Sequence, residues 1–369
     1  MSKFRADHIG SLLRPKALLD ARAAHERGEL PLEGLRQAED QAIVDVLALQ
    51  REAGIDVYSD GEFRRTSWVG PLHENAAAGL KTVERGPAFR PNWKGPGADE
   101  ANSELPIPIV VVADKIKLKG RMTGVESVFL GKHAPGPFKV TMPGPTIYMN
   151  LYDPEASKAA YPDRSDYLDE LIGLYETEVD AQIDDGAAYV QLDSLRYMQV
   201  FTGMAELMSG VAGEVVLEES LKADNAVLSR AKARGATTAI HICRGNHRSA
   251  WAASGSYEPV AERLFGELET DRFLLEFDDD RSGGFEPLRF VPKGKTVVLG
   301  LITTKTPQLE GKDELRRRVD EAAKYVDLDD LALSPQCGFA STYLGNLLTE
   351  DEEKRKLELV ADTARAIWG

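Results

Sequence analysis

The feature that most constrains this chain is a repeated rhythm. Short apolar runs, each closing on polar or turn residues, recur near residues 5, 57, 140, 190, 240, 275, 299 and 333. Runs of this length with no polar alternation predict strands buried on both faces, as in a parallel sheet. Helix-length segments stand between most of them. Leu32 to Ala53 is closed by Gly54, Arg164 to Asp185 by Gly186, and Glu214 to Ala233 by Gly235. A glycine just past the last helical residue takes the left-handed conformation that ends a helix. Further helices are expected from about Lys16, over Tyr257 to Glu267, over Lys312 to Val326, and over Thr349 to Trp368. Strand, helix, strand in alternation makes neighbouring strands parallel. Eight such strands with a closing helix predict a TIM (β/α)8 barrel that takes in residues 1–369 as one domain.

One segment interrupts the rhythm. Pro71 to Pro137 is rich in glycine, proline and charge, with Gly95-Pro96-Gly97 and Pro135-Gly136-Pro137 among its breaks. Leu105 to Val112 and Lys115 to Lys119 predict an antiparallel β-rich insertion, an arm or lid on the barrel. Long insertions beside a barrel's catalytic face commonly serve the site.

Charge and composition narrow the class. Lysine and arginine number 45 against 60 acidic residues, a net charge of -15. That balance argues against a nucleic-acid face or docking on anionic membrane. No run reaches the roughly 18 apolar residues of a membrane span. The first residues, Met1-Ser2-Lys3-Phe4-Arg5, carry no apolar signal core. With only two cysteines in the chain, a disulfide framework is not expected. The expectation is a cytoplasmic protein whose thiols stay reduced and open to metals.

The polar residues gather at the ends of the strands. The first strand ends in Asp7, His8, Ile9, Gly10 and Ser11, the second in Asp60 and Glu62, the fourth in Gln191 and Asp193. The fifth offers His241 and Cys243, the sixth Glu276 and Asp278, the eighth Gln336 and Cys337. A single carboxylate here has a plain explanation, because Asp and Asn cap the helix that follows. Six strands doing so together point to the active face of a barrel, where the C-terminal strand ends converge. His241 and Cys243 alternate along one strand, so they share a face. Alone, that pair reads as a buried His and a buried Cys. With Cys337 and a carboxylate, Glu276 or Asp278, it becomes four donors of the N, S and O types that suit Zn2+. The Asp278-Asp279-Asp280 run lacks the spacing of a calcium loop.

The strings HICRGNHRS, LLEFDDDRSG, VVLGLITTKT and LSPQCGFAS, in that order, with Ile9-Gly10-Ser11 near the start, resemble the catalytic domain of cobalamin-independent methionine synthase. The likeness is closer to that family's short single-barrel relatives. It implies a zinc thiol-alkyltransferase with metal ligands at His241, Cys243, Glu276 and Cys337. It also implies homocysteine binding at Ile9, Ser11, Glu62 and Asp193, the two carboxylates holding the α-ammonium and the Ile-Gly-Ser backbone lying near the carboxylate. His8 or Asp193 would protonate the leaving group.

The chain departs from the family in three places. It has one barrel where the full-length enzyme has two, and the missing barrel contributes to binding polyglutamylated folate. Ser194-Leu195-Arg196 follows the V-Q-L-D strand where the family has E-P-A. The tryptophan that stacks on the folate is absent from Gly144 to Asn150, leaving Tyr148 and Tyr152 as aromatic stand-ins.

The implied reaction is methyl transfer to homocysteine, giving methionine, with methyl-folate or a methyl-corrinoid protein as donor. An alternative keeps the metal and opens an epoxide with coenzyme M. A non-catalytic zinc-stabilised barrel is a third reading.

Overall fold

In the computed structural model, which describes residues 4–87, 90–105 and 108–369, six parallel strands run in chain order. They are β3 (Lys139–Pro143), β4 (Tyr189–Asp193), β5 (Thr237–Ile242), β6 (Arg272–Glu276), β7 (Thr296–Ile302) and β8 (Leu331–Pro335). The first two expected strands appear as extended segments joined by single bridges. Ala6 bridges Leu333 of β8, Tyr58 bridges Phe138 beside β3, and both bridges are parallel. The Asp56 N–H donates to the Ala6 carbonyl at 2.9 Å, linking those two segments to each other. The circle is thereby completed, and the fold is the expected TIM barrel.

Two apolar layers hold it. Inside the barrel a small cluster takes one or two residues from seven of the segments: Phe4, Ile9, Val57, Tyr189, Ala239, Leu274, Val298 and Ala332. Outside, the second set of alternating strand residues packs under the helices. Helix ends follow the local chemistry. Gly54 closes Leu32–Ala53 at φ 84°, and Thr349 opens Glu350–Trp368 with a reciprocal capping box to Glu352.

The insertion is β-rich, with a different pairing from the one expected. β1 (Ala76–Pro87) runs antiparallel to β2 (Pro108–Leu118). β2 passes unbroken through Ala113-Asp114, which merges the two strands expected over Leu105 to Val112 and Lys115 to Lys119. Residues 106–107 of that expectation lie outside the described residues. The ladder breaks at this point, where residues 113–116 of β2 bulge opposite Gly79 of β1 between the Leu80–Val112 and Ala78–Lys117 pairs. The last part of the 71–137 segment is barrel wall. Helix Gly124–His133 is anchored through Glu126, whose carboxylate takes the Arg65 guanidinium at 2.7 and 2.8 Å.

The insertion also reaches the active face. Lys94 and Trp251 exchange backbone hydrogen bonds at 2.9 Å, while Glu100 and Glu104 pair with Arg248 and His247. The loop after β5 is thus fastened to the arm.

Candidate active site

β5 and β8 deliver three soft donors to one point. The ligand atoms of His241, Cys243 and Cys337 lie within 4.8 Å of one another, and all three side chains are buried. The two sulfurs are 3.8 Å apart. That is far beyond the roughly 2.05 Å of a disulfide. It matches two thiolates on one tetrahedral zinc, since Zn–S bonds of about 2.3 Å place the sulfurs about 3.8 Å apart. His241 is oriented for the same task. Its Nδ1 donates to the Leu274 carbonyl at 3.1 Å, which leaves the Nε2 lone pair buried and without a hydrogen-bond partner among the described residues. A backbone carbonyl fixing the tautomer is the usual support of a metal-binding imidazole. The donor set fits zinc.

The electrostatics favour the charged form of one sulfur. The hydrogen bond from Cys337 and the neighbouring His241 hold the Cys243 thiol well below its ordinary range. Cys337, which keeps the shared proton in a buried setting, is pushed well above it. Burial disfavours the imidazolium of His241, but the Cys243 thiolate outweighs burial and raises its pKa.

Glu276 and Asp278 are placed differently from the expectation. Both are buried, and neither belongs to the three-donor cluster. Glu276 Oε2 accepts from the Arg244 N–H at 2.8 Å, and its Oε1 takes Arg281 at 2.8 and 2.5 Å. The same guanidinium holds Asp278 at 2.6 Å. Arg281, five residues beyond the end of β6, competes for the carboxylates. Its place in DDDRSG shows only as a charge among charges, so sequence reasoning missed it.

A cavity of about 550 Å³ opens above the donors, lined by His241, Cys243, Cys337, Ile9, Ser11, Glu62, Asp193, Asn246, Trp68 and Trp93 among others. The backbone at Gly10 sits at φ 131°, and a Cβ there would come 2.5 Å from the Thr141 methyl. Only glycine admits that approach, which turns Ile9 and Ser11 toward the cavity. Glu62 is a non-glycine residue at φ 60°, with its N–H held by Asp60 Oδ1 at 3.0 Å. One of its carboxylate oxygens accepts from Thr141 at 2.7 Å, and the other is buried without a hydrogen-bond partner among the described residues. Burial pushes Asp193 up to about 7, with Glu62 adding to the rise and His241 opposing it. Two carboxylates, one with an unanswered oxygen and one resisting its charge, make a receptor for a cation.

His8 is not brought to the cavity. Its Nε2 is 3.0 Å from the Val57 carbonyl, and burial with the adjacent Lys139 drives its pKa down to about 3. The neutral imidazole keeps only the N–H that it spends on the Val57 carbonyl, so of the two expected proton donors Asp193 alone lines the cavity. Tyr148 is buried with its hydroxyl on Val69 and Leu72, and neither it nor Tyr152 lines the cavity. The aromatic walls are Trp68 and Trp93, from two loops whose sequence gives no sign that they meet.

The comparisons with known proteins agree with this geometry. The profile of the cobalamin-independent synthase catalytic domain matches residues 103–364. YxjH of Bacillus subtilis (strain 168), a protein of uncharacterised function, is 39% identical over 99% of this chain and 95% of its own length. A methionine synthase of Pyrococcus abyssi (strain GE5 / Orsay) is 25% identical over 89% of this chain and 84% of its own. A crystal structure from Listeria monocytogenes, assigned to the vitamin-B12-independent methionine synthases, superposes with a TM-score of 0.75 at 30% identity. It covers 99% of this chain and 98% of that one. On the matched profile and on the full-length likeness to these relatives, the chain belongs to the cobalamin-independent methionine synthase family, through its catalytic domain.

Proposed function

We propose that this protein is a zinc-dependent methyltransferase that makes methionine from homocysteine. The observation that carries the proposal is the convergence of His241, Cys243 and Cys337 within 4.8 Å, under a cavity that also presents Glu62 and Asp193. Zinc held by these donors would keep a substrate thiol deprotonated at neutral pH, supplying the thiolate nucleophile that a free thiol with pKa near 8.5 supplies poorly.

The chain's own residues do the rest. Glu62 and Asp193 hold the α-ammonium, and the backbone from Ile9 to Ser11 lies beside the carboxylate. Trp68 and Trp93 cover the reacting sulfur and exclude water. Asp193, with a pKa near neutrality, is suited to hold or release a proton. Glu276 is the candidate fourth metal donor, a role that requires Arg281 to let go of its Oε1. The donor of the methyl group, folate or corrinoid protein, presents it from the open side of the cavity.

The lining favours an amino-acid thiol over coenzyme M. It contains two carboxylates and no arginine or lysine, a surface that repels a sulfonate. The test is zinc-edge X-ray absorption on the purified protein, with and without L-homocysteine. A new sulfur neighbour on adding homocysteine is the expected result. Protein that binds no zinc would overturn the proposal. A new sulfur neighbour with coenzyme M and none with homocysteine would replace it by the epoxide-opening reaction.

A further inference from the structure

Glu62 has a neighbour that competes with any substrate for its charge. The Arg65 guanidinium lies three residues on, with one nitrogen 3.7 Å from Glu62 Oε1. Both side chains are buried, where a direct pair would be strong and would leave little charge for an arriving cation. A capture of this kind does occur nearby, where Arg281 takes Glu276 at 2.8 and 2.5 Å.

Thr141, in the middle of β3, stands between the two groups. Arg65 Nη1 donates to Thr141 Oγ1 at 3.3 Å, and Nη2 donates to the Thr141 carbonyl at 2.7 Å. A hydroxyl has one hydrogen to give. Because Oγ1 accepts from Arg65, that hydrogen goes to Glu62 Oε1, at 2.7 Å. Glu126 occupies the guanidinium from its other side, at 2.7 and 2.8 Å. Glu62 Oε2 is left without a hydrogen-bond partner among the described residues, in a side chain that lines the cavity. The Thr141 methyl abuts the other half of the same receptor, since a Cβ on Gly10 would come 2.5 Å from it. One side chain thus serves both the Ile9-Gly10-Ser11 turn and the carboxylate.

We propose that Thr141 is a positioning residue that makes the site select for an α-amino group, by holding Arg65 off Glu62 so that one carboxylate oxygen stays open to the substrate ammonium. The proposal rests on the homocysteine reading above and deepens it. Without the hydroxyl, Glu62 Oε1 loses its hydrogen bond and Arg65 is the cation left beside it. The carboxylate then turns to the guanidinium and away from the cavity.

The test compares two thiols by calorimetric titration of the purified protein. One is L-homocysteine, and the other is γ-mercaptobutyrate, the same thiol without its amino group. The parent should prefer homocysteine. Thr141→Val, which loses the hydroxyl, should bind homocysteine about 10- to 100-fold more weakly, the worth of one hydrogen bond to a charged group. Its affinity for γ-mercaptobutyrate should change little. Thr141→Ser, which keeps the hydroxyl, should keep the preference. Thr141→Ala, which also lacks the hydroxyl, should behave as the valine variant and replaces it if valine prevents folding. Variants without the hydroxyl that keep the parent's preference, or that lose both thiols alike, would show Thr141 to be packing only and would overturn the proposal. A parent that prefers neither thiol would have no ammonium receptor at all and would sink the homocysteine reading itself, so the two failures are told apart.

Discussion

The two halves of the barrel interior treat their charges in opposite ways. Near the starts of β3, β4 and β6, Asp7 is surrounded by Lys139 at 2.8 Å, the Tyr189 hydroxyl at 2.9 Å and Arg272 at 3.4 Å. Lys139 also reaches Gln191 at 2.8 Å and the His8 carbonyl. Burial alone would raise the pKa of Asp7, but Lys139 and Arg272 outweigh it and hold it below the ordinary value. At the opposite end, Asp193 is pushed up to about 7, and one Glu62 oxygen and the His241 Nε2 have no hydrogen-bond partner among the described residues. At one end the buried carboxylate is answered by two cations and a hydroxyl, while at the other a carboxylate oxygen is left open to something that arrives. In a TIM barrel the first end serves stability and the second serves chemistry. The way each end treats its carboxylates, not buried charge as such, separates the two.

Exchanging a donor at the open end should produce the largest effect. Cys337→Ser is expected to lower methyl transfer by more than about a thousandfold, the scale of losing a group that acts on the reacting centre. Its metal-free unfolding curve should stay close to that of the parent. Loss of fold along with activity would erase the contrast between the ends.

Next in size is the closed end. Lys139→Met leaves Asp7 without its closest cation, and removing one partner of a buried ion pair costs about 3–5 kcal/mol. Urea unfolding should report that loss, while the folded fraction keeps its turnover. Turnover that falls far more than stability would mean that this end also takes part in the chemistry.

Glu62→Gln is expected to raise the KM for homocysteine roughly 10- to 100-fold, the worth of one charged hydrogen bond, with a smaller change in kcat. A change in kcat alone would move Glu62 from holding the ammonium to handling the methyl group.

The smallest effect is also the one that tests the sign of the contrast. Folding raises the pKa of Asp193 from the ordinary 3.8 to about 7. The penalty for its charge is therefore absent below the ordinary value, grows as pH rises, and is complete above about 7. Asp193→Asn should raise the melting temperature of the metal-free protein near pH 8, by a few degrees, and leave it unchanged near pH 4. Asp7→Asn should do the opposite at neutral pH, because Asp7 contributes stability above its ordinary pKa that is lost only in acid.

Much of this was legible in the chain, because it rests on local periodicity. Apolar runs marked the strands, and the glycines after Ala53 and Ala233 marked helix ends. The β5 alternation placed His241 beside Cys243. What escaped was set by contacts between distant segments. β1 pairs with β2 through a ladder that no local pattern encodes. Arg281 takes Glu276 because a loop folds back on its own strand. Trp68 and Trp93 line the same cavity, one from a barrel loop and the other from the arm. His8 shows the limit of reading a residue by type, since burial beside Lys139 holds it neutral, with its N–H on a backbone carbonyl and away from the cavity.

Gln191 joins the two ends, and its amide has a direction. Lys139 can only donate, so the Gln191 oxygen must point down to it, at 2.8 Å. The amide nitrogen is left facing up, where it donates to the Ile9 carbonyl at 2.6 Å and to Asp193 Oδ1 at 2.8 Å. Oδ1 therefore always receives a hydrogen and never carries one. Any proton that Asp193 holds near neutral pH sits on Oδ2, on the side of the carboxyl that Gln191 does not occupy. The direction of that one amide, set from the far end of the barrel, thus fixes which oxygen of Asp193 is left free of Gln191.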